Sequence, residues 1–174
     1  MFLTLRGMPH ITLLFVVLLF ASMLTSSEHT SIITEVGASD RATEINSDTR
    51  CLAETLYYEA RDQSRQGKLA VGLVVLNRAA SNKYPNNICG VVYQSMKRGS
   101  CQFSWACKNR NAINEYNQDW RDSVALAKLL IRDEKKYHNL APGALFFHNT
   151  SVKPNWAERL TPVSTIGSHI FYRS

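Results

Sequence analysis

Glu59 is the side chain in this sequence best placed for acid–base chemistry. The apolar spacing predicts a helix over residues 48–63, with Ser47 or Asp48 as its cap. Leu52, Leu56 and Glu59 recur along it at i, i+4 and i+7, so they share one face. A carboxylate on a stripe that packs into a core is costly unless it is paired or put to use. The stripe therefore admits two readings. Glu59 is held in an ion pair with Arg61, Arg78 or another base, or its apolar surroundings raise its pKa. In the second case it keeps a proton near neutral pH and can give it to a leaving oxygen. Glu54 lies off the stripe and is expected to be solvated.

Two further clusters carry chemistry-bearing side chains. Cys101-Gln-Phe-Ser-Trp-Ala-Cys107 sets an amide, a hydroxyl and two aromatic rings between two cysteines. Sugars present apolar faces and polar edges, so a stapled loop of this composition suits a glycan groove; it would serve equally as an aromatic loop packed on a core. His148, Trp156, His169 and Tyr172 gather toward the C-terminus. Two histidines can ligate a metal, but neither HExxH nor His-x-His spacing is present, and a structural or substrate-edge role is the expectation for both.

The elements that must position these groups follow from pattern. Residues 67–82 are apolar nearly all round between Leu69 and Leu76 and read as a central helix buried on most sides. Tyr84-Pro85-Asn86-Asn87 breaks the chain. A third helix is expected with Asp119 as cap, Trp120, Val124, Ala127, Leu130 and Ile131 as its buried stripe, and Lys135, Lys136 and His138 suiting its C-terminal dipole. After Pro142-Gly143, residues 144–148 and 164–173 read as two short strands, open to pairing with each other.

The chain has 174 residues, 45 % hydrophobic and 20 % charged, which bounds it to one ordinary globular domain. Ahead of that domain, residues 11–24 are uncharged and apolar. They are short for a membrane span, which needs roughly 20 residues, and suit the core of a signal peptide. Residues 1–27 are thus expected to be a leader, cut before Glu28 or kept as an N-terminal anchor, and residues 28–47 a flexible tether. No Cys follows the apolar run closely, which argues against a lipoprotein. Removing the leader takes away Arg6 and no acid, lowering the net charge from +6 to +5. That mild excess suits an anionic polymer. The leader and the lack of a clustered Lys/Arg stripe speak against nucleic acid. Export also makes the four cysteines legible as disulfides, and no Cys-x-x-Cys pair favours zinc.

Taken in order, YYEARDQSRQGKLAVGLVVLNRAASNKYPNNICGVVYQ, CQFSWAC, ALFFHN, PNWAERL and IGSHIFYR resemble the spore cortex-lytic type of cell-wall hydrolase, the SleB/CwlJ family. The resemblance runs from about Cys51 to Arg173. It implies an α+β, mainly helical, lysozyme-related single domain of the lytic transglycosylase type over residues 48–174, with a small C-terminal β element. It also implies cleavage of glycan strands between N-acetylmuramic acid and N-acetylglucosamine, with no cofactor and no metal. The family's catalytic glutamate, in its Glu-Ala-Arg block, falls on Glu59. Gln102, Phe103 and Ser104 fall on its Gln-Phe-Ser block and are expected to line the groove, with Trp105, His148 and Tyr172 beside them. No separate peptidoglycan-binding repeat is visible, so wall turnover or wall penetration is expected rather than a role tied to spores. The expected partner is peptidoglycan, met by a monomer that touches membrane only through an uncleaved leader.

Three rivals remain at this point. A hydrolytic variant would recruit Asp62 as a second carboxylate. A metal-dependent amidase would need His148 and His169 as ligands. A non-catalytic wall-binding module would have no need of a costly buried acid. The cysteines allow three pairings. Cys51 begins the first helix and Cys89 follows the second, so an antiparallel helical hairpin brings them together. That leaves Cys101 to pair with Cys107, which demands a curled loop, since six extended residues would span about 20 Å.

Overall fold

A computed structural model describes residues 45–94, 101–108 and 112–174. The expected leader and nearly all of the tether lie outside the described residues. The folded unit starts at Ile45, whose side chain packs on the core.

Helix α1 (Ser47–Ala60) is capped by Asn46, whose side-chain oxygen accepts from the Thr49 amide at 2.8 Å. The cap thus falls one residue ahead of the expected Ser47 or Asp48, and Asp48 instead sits in the first turn, where the dipole favours an acid. The helix also stops before Gln63. Gln63 N bonds back to Ala60 O at 2.9 Å, and Ser64 already caps helix α2 (Arg65–Ala79) by accepting from Gly67 N at 3.2 Å. Residues 61–63 are therefore a tight connection between two antiparallel helices.

Helix α2 is the centre of the molecule, with every residue from Gly67 to Leu76 buried. Gly72 is required there by close approach: a Cβ would stand 2.4 Å from Leu130 Cδ1 and 3.3 Å from Leu56 Cδ2. A one-turn helix α3 (Ile88–Val92), capped by Asn87, follows the Pro85 break. Sequence pattern misses it because five residues carry no period. Helix α4 (Gln118–Tyr137) is capped by Asn117, which accepts from the Asp119 amide at 2.7 Å, so Asp119 is a first-turn residue and not the cap. Its buried face runs through Trp120, Ser123, Leu126, Ala127 and Leu130. That face is rotated from the expected stripe, which leaves Val124 at the margin and Ile131 40 % exposed.

The sheet is antiparallel in the order β1-β3-β2, with β1 (Phe146–Asn149), β2 (Thr161–Ile166) and β3 (His169–Arg173). The single strand expected over 164–173 is two strands, folded at Gly167-Ser168 with Gly167 at φ 59°. Gly-Ser between apolar runs is itself a hairpin signal. The hairpin tip docks on the end of α1, where Ser168 N donates to Gln63 Oε1 at 3.2 Å.

Both disulfides of the hairpin argument are present. Cys51–Cys89 ties α1 to α3 across 5.3 Å between Cα atoms, and Cys101–Cys107 closes the aromatic loop across 5.7 Å. Among the described residues no helix is long and apolar enough to cross a membrane.

Candidate active site

Glu59 lies in the last turn of α1, half-buried, one turn above the fully buried Leu56. Burial raises its pKa above the ordinary 4.5. A hydrogen bond from Trp105 and the positive charge of Arg78 pull it back without cancelling the rise. Such a carboxyl can hold a proton, release it to a basic oxygen, and take one up again. Arg78 stands beyond ion-pair distance, since no carboxylate among the described residues lies within 4.0 Å of it.

The wall facing Glu59 comes from the Cys101–Cys107 loop, which curls into a 3-10 turn over Ser104–Cys107. Curling sorts its side chains. Phe103 and Trp105 point inward at 3 % and 8 % exposure, while Gln102 and Ser104 stay exposed. Of the four loop residues expected to line a groove, only the two polar ones therefore present themselves to solvent. Trp105 stacks on Tyr58 with centroids 4.8 Å apart and on Phe103 at 6.0 Å, and meets Tyr93 edge-on at 6.3 Å. Tyr58 escapes sequence reasoning, although its place beside Glu59 in the chain is a signal.

The sheet adds a second surface. His148 Nδ1 faces Asn149 O at 2.9 Å and must carry the proton, so Nε2 accepts from the Tyr172 hydroxyl at 2.9 Å. The two rings stack at 5.3 Å, and Trp156 stands edge-on to both at 5.5 and 5.6 Å. Tyr172 is buried; His148 and Trp156 are half-buried. His169 belongs elsewhere. It pairs with Asn149 while His148 pairs with Ile170, so the two histidines project from opposite faces of the sheet. His169 packs against Phe147 and Phe171, and burial lowers its pKa, partly offset by Asp62. The ligand pair of a metal-dependent amidase is thus split by strand alternation. Asp62 is exposed, in the connection after α1.

Glu54 corrects the sequence reading outright. It is 7 % exposed, accepts a hydrogen bond from the Tyr93 hydroxyl, and lies 3.7 Å from Arg50 Nε. Helix α3 and its disulfide bring Tyr93 over that face of α1, which local periodicity has no means of registering.

With this geometry in view, comparison with known proteins is decisive about kinship. The cell wall hydrolase family profile matches residues 62–172. The chain belongs to that family. The match opens three residues after Glu59, so the glutamate stands just ahead of it. The chain is 35 % identical over 125 residues to a spore cortex-lytic enzyme of Bacillus cereus, covering 71 % of this chain and 43 % of that protein. It is 29 % identical over 128 residues to the spore cortex-lytic enzyme of Bacillus subtilis, covering 72 % and 37 %. It thus spans about two-fifths of the length of these curated relatives. Among solved structures it is similar to the catalytic domain of the germination-specific lytic transglycosylase SleB from Bacillus anthracis, with a TM-score of 0.52 and 23 % identity over 75 % of this chain and 98 % of that one. The fold is that of the SleB catalytic domain: mainly helical, with a small three-stranded sheet.

Proposed function

We propose that this protein cleaves peptidoglycan glycan strands as a lytic transglycosylase, with Glu59 as its single acid/base. The observation that carries the reading is a carboxyl at a helix end whose pKa is raised by burial, facing an aromatic wall with exposed amide and hydroxyl groups at Gln102 and Ser104. Membership in the cell wall hydrolase family supports the substrate class.

The chemistry needs no second carboxylate. Protonated Glu59 gives its proton to the glycosidic oxygen between N-acetylmuramic acid and N-acetylglucosamine. The bond from C1 to that oxygen breaks, the N-acetylglucosamine side leaves as an alcohol, and C1 becomes oxocarbenium-like. The Glu59 carboxylate then takes the proton of the muramic C6 hydroxyl, whose oxygen closes on C1 as a 1,6-anhydro ring. Glu59 ends protonated, and no water is consumed. Gln102 and Ser104 offer hydrogen bonds to sugar hydroxyls, and His148, Trp156 and Tyr172 a flatter surface further along. Such an enzyme works outside the cytoplasm, which fits the leader expected from the sequence and the two disulfides.

Mass spectrometry of fragments released from purified peptidoglycan tests this. The expected products carry 1,6-anhydromuramic ends, and excess EDTA leaves the rate unchanged. New reducing ends would replace transglycosylation by hydrolysis and turn attention to Asp62. Mature protein from outside the cytoplasm is expected to begin near Glu28.

A further inference from the structure

The loop, the sheet and the central helix meet at one buried cation. Arg78, in the last turn of α2, is 3 % exposed. Its Nε donates to Leu145 O at 2.8 Å. Both Nη atoms donate to the Gln102 amide oxygen at 3.3 Å, in the amide orientation that satisfies both partners. Its guanidinium carbon lies 5.4 Å from the Tyr84 ring centre, 5.6 Å from Phe103 and 5.9 Å from Phe146. A buried cation is ordinarily matched by a carboxylate. Here it is held by two oxygen acceptors and three aromatic rings, each ring capable of a cation–π contact.

We propose that Arg78 is the positioning residue of this site: it clamps the Cys101–Cys107 loop and the segment entering β1 onto α2, and holds a positive charge near Glu59 without pairing with it. The inference rests on Glu59 acting as acid and base. A salt-bridged glutamate would stay ionised and could not donate; one with no cation nearby would be reluctant to become the carboxylate that the second step requires. A charge kept beyond ion-pair distance by its own hydrogen bonds serves both half-steps. Lysine would not replace it, because only the planar fork reaches Leu145 O and Gln102 together while lying on rings.

The other titratable groups on the surrounding elements are Tyr57, Tyr58, Arg61 and Asp62 on and after α1, Tyr84 beside Arg78, Tyr93 beyond Trp105, and His148 and His169 in the sheet. Arg78 is the charge among the described residues whose field is felt at Glu59.

The test is the pH profile of kcat/KM on solubilised glycan strands for the full chain, Glu59→Gln, Arg78→Gln and Arg78→Lys. Activity falls on the alkaline side as Glu59 loses its proton. Arg78→Gln removes the favourable charge and is expected to move that fall to higher pH. Arg78→Lys keeps the charge and is expected to leave the fall in place while raising KM several-fold, because Gln102 loses its clamp. If both variants merely lose rate, with the fall unmoved in Arg78→Gln, Arg78 is a packing residue and the proposal is overturned. Should Arg78→Gln not fold, Arg78→Lys decides alone: an unchanged KM or a displaced fall counts against the proposal. A wild-type rate in Glu59→Gln would instead defeat the acid/base reading, and the charge role of Arg78 with it. A Glu59-dependent wild type with an unmoved Arg78→Gln profile defeats Arg78 alone.

Discussion

Helix α1 carries two glutamates, one at its middle and one in its last turn, and the two have opposite surroundings. Glu54 is the more deeply buried, yet Tyr93 hydrogen-bonds it and Arg50 stands beside it, with Arg50 in turn 3.1 Å from Glu115. Glu59 is only half-buried, but what faces it is an aromatic wall and a cation that does not pair with it. Depth of burial therefore does not mark the proposed acid. The partners on offer do: Glu54 is placed to be permanently satisfied, and Glu59 to exchange a proton.

The largest expected effect separates the two directly. Glu59→Gln keeps the shape and removes the proton donor, so the rate on peptidoglycan is expected to fall at least ~10²-fold with the fold intact. Glu54→Gln is expected to leave the rate of the folded protein near wild type while lowering stability by about 1–3 kcal/mol, read from chemical denaturation. A dead Glu54→Gln alongside an active Glu59→Gln would invert the comparison.

The disulfides sharpen it at the next level, because each lies nearer one of the two acids. Cys51–Cys89 closes 38 residues and anchors α1 one turn before Glu54, so replacing both cysteines by serine is expected to cost about 4 kcal/mol. Cys101–Cys107 closes 6 residues, and its loss is expected to cost about 2 kcal/mol. The second pair, however, holds the loop that carries Trp105 toward Glu59. Activity of the folded protein should drop further for Cys101→Ser/Cys107→Ser than for Cys51→Ser/Cys89→Ser, although the former is the more stable of the two. Denaturation curves and rates on the same samples decide.

A subtler difference lies in the pH dependence of stability. The folded protein holds the Glu59 proton more tightly than the unfolded chain, so the stabilisation from the neutral carboxyl is complete below the unfolded pKa. It is lost as pH rises through the raised folded pKa. Glu59→Gln, neutral throughout, should melt higher than wild type on the alkaline side, with the gap closing on acidification. A constant gap in Tm across the range would mean that Glu59 is not strained by burial. The smallest effect is expected at the sheet. Tyr172→Phe deprives His148 Nε2 of its donor, and a rise in KM of roughly two- to fivefold, with kcat unchanged, fits one neutral hydrogen bond worth ~1 kcal/mol or less.

Periodicity and punctuation determined a good part of this protein. Leu52, Leu56 and Glu59 on one helix face, the all-round apolar run that became α2, and the placing of Cys51 and Cys89 at facing ends of a helical hairpin are local facts, set by 3.6 residues per turn and by chain length. The ordered motif blocks carried the family. Where the sequence misled, the deciding groups came from far along the chain. Tyr93, just past α3, turned Glu54 from an expected surface group into a buried, hydrogen-bonded one. The rotation of α4 about its axis, fixed by contact with α1 and α2, moved Ile131 outward. The opposed faces of His148 and His169 depended on the β1–β3 register, which pairs segments about twenty residues apart and is invisible to local pattern. Above all, the sequence offered Arg78 only as one of several ion-pair partners for Glu59. Its burial among Leu145, Gln102 and three rings arises from elements up to 68 residues apart, and only tertiary packing brings such groups to one point. An acid's place on a helix is a local property; the environment that sets its acidity is not.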